Sequence, residues 1–225
     1  MLDQAEVLRK LADNDGKENQ KNNISKIITV TSGKGGVGKS NFVVNLAITL
    51  QKNGKKVLIF DADLGMGNDD VLMGLYPKHN IFDIIFTDLT LKDIIIEGNE
   101  GVALIPAGSG LNKVHELTEN ERQLFLSKLS ELDEFDYILM DTGAGVSRDI
   151  LAFISASEEL IIITTPEPTS LTDAYSLAKA ADHFKLKDNA KVIVNKAFSK
   201  EEGIETFNKF NRAVTKFLNI KIEYL

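Results

Sequence analysis

Two kinds of apolar pattern alternate along the chain. Short, nearly unbroken apolar runs occur at 27–31, 56–60, 102–105, 137–140, 160–164, 191–194 and 220–224. Runs this short and this apolar predict strands buried on both faces. Between them, apolar residues recur at helical spacing over 41–51, 119–132, 147–155, 170–184 and 201–218. In the first of these, Phe42, Val43, Leu46, Ala47 and Leu50 share a face, and Asn53-Gly54 ends the pattern. Strand alternating with helix predicts an α/β fold, a mostly parallel doubly wound sheet covered on both faces. Ligands of such sheets bind beyond the carboxyl ends of the strands, so the residues that follow each apolar run are where chemistry is expected.

The first 25 residues have another pattern. Ala5, Leu8, Leu11 and Ala12 fall on one face of a helix over 2–12, and 13–23 (DNDGKENQKNN) is almost wholly polar. The expected organisation is a short amphipathic helix on a polar linker over 1–25, followed by one domain over 26–225. A tethered amphipathic helix suits a groove on a partner.

Composition narrows the function classes. A chain of 225 residues fits one α/β domain, and 43% hydrophobic with 26% charged residues is ordinary for a soluble globular protein. A net charge of −7 disfavours a broad DNA-binding surface. The absence of cysteine excludes disulfides, thiolate nucleophiles and Cys-ligated clusters, and suits a reducing cytoplasm. His79, His115 and His183 are scattered and read as surface or structural residues. There is no signal-peptide pattern at the N-terminus, and no apolar run approaches the ~18 residues of a membrane span.

The chemistry concentrates after the first run. Residues 33–40 read GKGGVGKS, which fits G-x-x-x-x-G-K-[ST]. Glycines let the backbone wrap a phosphate chain with its N–H groups turned inward, and the following helix presents its positive end to the anion. Gly35, Gly36, Val37, Gly38, Lys39, Ser40 and Asn41 are therefore expected to bind ATP or ADP. Lys39 would reach the β/γ-phosphates, and the Ser40 hydroxyl would hold Mg²⁺. A second lysine, Lys34, follows the first glycine, where a cation lies beside the terminal phosphate or can cross to a facing subunit. The run 137–140 ends on Asp141, the position of a metal-supporting carboxylate. Asp61 and Asp63 end the 56–60 run two residues apart and so point the same way. One of them can support Mg²⁺ while the other orients an attacking water. Asn195, after 191–194, could hydrogen-bond a purine. Guanine readers carry an acid two residues after the Lys of this motif, and Phe198 stands there, so ATP is expected rather than GTP.

GKGGVGKS resembles the deviant phosphate-binding loop of the MinD/ParA family of dimerising ATPases, and the resemblance covers about 26–225. The stretches DADLGMGNDDVLMGL (61–75), PAGSGL (106–111), DTGAGVSRDI (141–150) and TTPEPTSLTDAYSLAK (164–179) narrow it to the flagellar MinD-like ATPases, called FlhG, FleN or YlxH. Asp3-Gln4-Ala5-Glu6-Val7-Leu8-Arg9 is similar to the DQAxxLR activator helix of that group. The resemblance implies a P-loop fold of the MinD type and an ATPase that dimerises with ATP to regulate flagellar number or placement. It implies that Lys34 is the signature lysine at the dimer interface, paired with Asp173. It also implies that Asp63 orients the hydrolytic water while Asp61 and Asp141 support the metal. Gln4, Ala5, Leu8 and Arg9 would engage the FlhF signal-recognition-type GTPase and stimulate its hydrolysis, with Gln4 reaching the active site. Flagellar switch-complex or transcription-regulator proteins are further partners within the same resemblance. The family continues past 220–224 into a Gly-x-x-Pro segment near the base and a C-terminal amphipathic membrane helix. The chain is thus expected to be truncated at Leu225, with peripheral membrane contact reserved for the full-length, ATP-bound form. The rival readings are a MinD-type division regulator and a ParA-type DNA-segregation ATPase. Net acidity weighs against the second, and the Gln4 helix against both.

Overall fold

The computed structural model describes residues 25–65, 67–107, 118–130 and 132–225. Eight strands form one sheet: β1 (Lys26–Ser32), β2 (Val57–Ala62), β3 (Ile96–Glu97), β4 (Ala103–Ile105), β5 (Tyr137–Ala144), β6 (Glu159–Thr164), β7 (Asn189–Val194) and β8 (Lys221–Tyr224). Their order is β3-β4-β2-β5-β1-β6-β7-β8, and every pairing is parallel except β3 with β4. The central strands are buried on both faces, as their continuous apolar runs require.

Helices cover both faces: α1 (Lys39–Lys52), α2 (Asp69–Met73), α3 (Ile81–Phe86), α4 (Leu91–Ile94), α5 (Glu119–Ser130), α6 (Arg148–Ala156), α7 (Pro168–His183) and α8 (Lys200–Phe217). Alternation along each strand divides the core. Leu58, Phe60, Ile138 and Met140 point to one face, where Phe125 and Leu129 of α5 and Phe153 of α6 pack on them. Ile59 and Leu139 point to the other, against Val43, Val44 and Ala47 of α1. The Phe60 ring meets Phe125 at 4.6 Å and Phe153 edge-on at 5.6 Å. A third cluster, from Leu177 and Ala181 of α7 to Phe210 and Val214 of α8, covers the β6–β7 end. Among the described residues no helix is long and apolar enough to cross a membrane.

The strands and helices predicted within 26–225 are all present, with ends moved by a few residues, and the helix predicted over 2–12 lies outside the described residues. The short helices α2, α3 and α4 and the antiparallel edge strand β3 were not anticipated. At two to six residues they are too brief to show a period. A capping signal does mark two of them: Asn80 with Asp83, and Thr90 with Asp93, form reciprocal capping boxes.

Candidate nucleotide site

Three connections leave the carboxyl ends of the central strands and meet at one cleft of about 730 Å³. The first is the loop from β1 into α1. Gly36 and Gly38 have φ of 73° and 99°, values that a residue with a side chain rarely adopts, and α1 begins directly after Gly38. Gly33 is needed for a different reason. A Cβ there would lie 2.1 Å from the Asp173 backbone, so the loop sits against α7 only because that side chain is missing.

Three carbonyls of the loop are held by side chains. Ser32 Oγ donates to the Lys34 carbonyl (2.7 Å), Lys196 Nζ to that of Gly36 (2.7 Å) and Asn195 Nδ2 to that of Val37 (2.8 Å). With these carbonyls fixed, the loop offers its N–H groups to an anion. Asn195 thus stands beside the loop, but its amide is spent on Val37 and on the Lys196 N–H (2.9 Å). A hollow of about 240 Å³ next to it is lined by Phe42, Asn45, Ile163 and Ile193, an apolar setting of a size suited to part of a base. Lys196, at φ 57°, is a loop-holding residue that the sequence reading missed. Its signal was the lysine of the Asn-Lys pair, read there only as spacing for an absent acid.

Lys34 bonds within its own chain. Its ammonium contacts Glu167 Oε2 at 2.6 Å and Thr169 Oγ1 at 2.9 Å. The Lys34 hydrogen bond holds the Glu167 carboxyl below the usual carboxylate range. Both side chains remain substantially exposed, at 38% and 62%. Asp173, expected to pair with Lys34 between subunits, lies one turn further along α7, with its backbone against Gly33.

The acidic wall comes from strand register. Asp61 and Asp141 are paired neighbours on β2 and β5, and Val30 pairs with Asp141 from the other side. Asp61, Asp141 and Lys39 are all buried. Burial pushes the Asp141 carboxyl up to about 6, against the opposing effects of the Ser40 hydroxyl and the Lys39 charge. Burial also pushes Asp61 up to about 7, even though it accepts from the N–H groups of Asp63 and Asp69, each at 3.2 Å. Asp63 lines the cleft, with Oδ1 3.3 Å from the place a Cβ on Gly143 would take. The predicted residues Lys39, Ser40, Asn41, Asp61, Asp63 and Asp141 therefore converge. Gln4, Ala5, Leu8 and Arg9 lie outside the described residues.

A fourth acid, Asp69 at the start of α2, was missed. It is fully buried, and burial together with the charges of Asp141 and Asp61 pushes it up to about 10. Nothing local distinguishes it from Asp70, which stays partly exposed.

The donor set fits a magnesium ion. Asp141 Oδ1 is buried without a hydrogen-bond partner, while the Ser40 hydroxyl bonds to the same carboxylate. No group of three or more acidic or histidine side chains among the described residues could cage a metal alone. Magnesium commonly takes one or two carboxylates and completes its shell with phosphate oxygens and water.

The AAA domain family model matches residues 25–194. The chain is 37% identical over 201 residues to the antiactivator FleN of Pseudomonas aeruginosa, covering 89% of this chain and 72% of that protein. It is 39% identical over 203 residues to the flagellum site-determining protein YlxH of Helicobacter pylori, covering 89% and 68%. Among solved structures, the MinD cell division protein of Aquifex aeolicus superposes with a TM-score of 0.69 at 26% identity, over 85% of this chain and 78% of that one. A two-lysine phosphate loop on a mostly parallel sheet, with this extent of likeness, makes the chain a member of the MinD/ParA-type family of P-loop ATP-binding proteins, with FleN and YlxH among its relatives.

Proposed function

We propose that this chain is an ATP-hydrolysing switch that dimerises with ATP and regulates flagellar number or placement. The observation that carries the reading is the two-lysine loop: Lys39 buried beside Asp141, and Lys34 held at the surface by an exposed acid. The likeness to FleN and YlxH over 89% of the chain supports the flagellar role.

In this reading the loop N–H groups and Lys39 bind the phosphates. Ser40 and Asp141 hold Mg²⁺, with Asp61 beside them, and the ion neutralises phosphate charge when bound. Asp63 lies on the cleft wall at the Gly143 turn and orients the attacking water. Lys34 leaves Glu167 and Thr169 to meet the terminal phosphate or a facing subunit, and Asp173 serves at that interface. Gln4, Ala5, Leu8 and Arg9 engage an FlhF-type GTPase, and peripheral membrane contact belongs to the ATP-bound state.

Light scattering with ATP and with ADP tests the switch. Lys34→Ala should lose ATP-dependent self-association while keeping ADP binding. Asp63→Ala should accumulate the dimer, because it removes water positioning but not phosphate contacts. A monomeric Asp63→Ala variant in ATP would refute the role given to Asp63.

A further inference from the structure

The Asp69 carboxyl has no part in the reading above, yet it occupies the most guarded position in the site. It is 0% exposed, no N–H, hydroxyl or ammonium group of the described residues donates to its oxygens, and its one side-chain hydrogen bond is shared with the Asp141 carboxyl. Its backbone N–H donates to Asp61 Oδ2 at 3.2 Å, and its carboxyl touches that of Asp141. Gly67, two residues before it, approaches so closely that a Cβ would lie 2.5 Å from Asp61 Oδ2. The segment is therefore packed onto the acidic wall. Asp70 differs, since its carboxylate accepts from the Val71 N–H at 2.7 Å.

An ionised carboxyl buried among carboxyls is unfavourable without a cation, so Asp69 holds its proton against Asp141 until a cation arrives, and an apolar side chain would fill the same space at no such cost. The cations nearby are Lys39, whose charge acts on Asp141, and whatever ion accompanies the phosphates. Magnesium retains several waters in protein sites, and those waters donate hydrogen bonds. Carboxylates behind the direct ligands receive such bonds and orient the ligands.

We propose that Asp69 is a positioning residue for the divalent cation, accepting hydrogen bonds from its water shell and orienting Asp141 and Asp61, so that nucleotide binding is tied to the metal. This rests on the nucleotide-binding reading above. It does not require Asp69 to be a direct ligand, in keeping with the lack of a ready cage.

Calorimetric titration of ADP with Mg²⁺ and with EDTA tests it, on the wild type, Asp69→Asn and Asp69→Leu, alongside thermal unfolding without ligand. The expected result is that magnesium strengthens ADP binding to the wild type and that each variant cuts this gain by about 10-fold. Affinity in EDTA should be unchanged, and Asp69→Leu should unfold no earlier than the wild type. A wild-type magnesium gain in both variants overturns the proposal. So does an equal loss of affinity with and without magnesium, the mark of a merely structural role. Asp69→Asn, which keeps the side-chain shape, decides the matter alone if Asp69→Leu does not fold. A wild type that binds no ADP overturns the nucleotide reading itself, and this inference with it.

Discussion

At the scale of single residues, the site is a balance between buried acids and few cations. Asp61, Asp69 and Asp141 all titrate above the ordinary carboxylate value, first because they are buried; the Asp141 charge adds to this at Asp61 and Asp69, and the Asp63 charge at Asp61 and Asp141, while the Asp69 hydrogen bond opposes it at Asp141. Lys39 and the Ser40 hydroxyl oppose this at Asp141, and the N–H groups of Asp63 and Asp69 oppose it at Asp61. The sign of the linkage follows. Between the unfolded value near 4 and the folded values of about 6, 7 and 10, the native state binds more protons than the unfolded chain. Stability from these groups is complete below the unfolded value and is lost as pH rises through the folded ones. Metal-free protein should therefore resist urea better at pH 5.5 than at pH 8, and Mg²⁺ with ADP should narrow the difference. Urea midpoints at the two pH values, with and without Mg-ADP, check it. A midpoint that rises between them in the metal-free protein would contradict the burial of these acids.

At the scale of elements, local sequence explains most of what forms. The paired glycines Gly36 and Gly38 permit left-handed turns ahead of α1, and Ser147 and Ser199 cap α6 and α8 by accepting from N–H groups in their first turns. The short helix α3 depends most on its cap. Asn80 Oδ1 accepts from the Phe82 N–H at 2.9 Å, and Asp83 Oδ2 accepts from the Asn80 N–H at 2.8 Å. With only six residues, α3 has little other helical hydrogen bonding to retain it. Asn80→Ala should destabilise the fold by about 1 kcal/mol, read as a lowered urea midpoint at unchanged m-value. No such reciprocal box marks α2, and its two acids differ in burial, so neither its existence nor the fate of Asp69 was legible.

At the scale of the whole molecule, the sheet order sets which connections meet. β1 lies between β5 and β6, and β2 lies beyond β5, so the phosphate loop, the Asp61–Asp63 turn and the last residues of β5 from Asp141 onward share one edge. The hollow beside the phosphate loop is built across the chain from Asn195 and Ile193 of the β7 end to Phe42 and Asn45 of α1. Phe198, where a guanine-reading acid would stand, is 99% exposed, and the Asn195 amide is already bonded to Val37 and Lys196. ADP should accordingly bind about 10-fold or more tighter than GDP, since a site without the matching hydrogen-bond partners gains nothing from guanine. Competition against a fluorescent ADP analogue measures this, and equal displacement by GDP would count against the reading of the base side.

The amino-acid sequence by itself determined the class of sheet, the phosphate loop and the acids that end two strands. Each of these depends on neighbours in the chain: unbroken apolar runs, glycines at fixed spacing, a lysine and serine at the helix start. Only the tertiary structure decided that Asp69 is buried against Asp141, that Lys34 rests on Glu167, and that Lys196 and Asn195 hold two loop carbonyls. These contacts join residues far apart in sequence, and each depends on strand register and helix packing, which fix distances that no local pattern records.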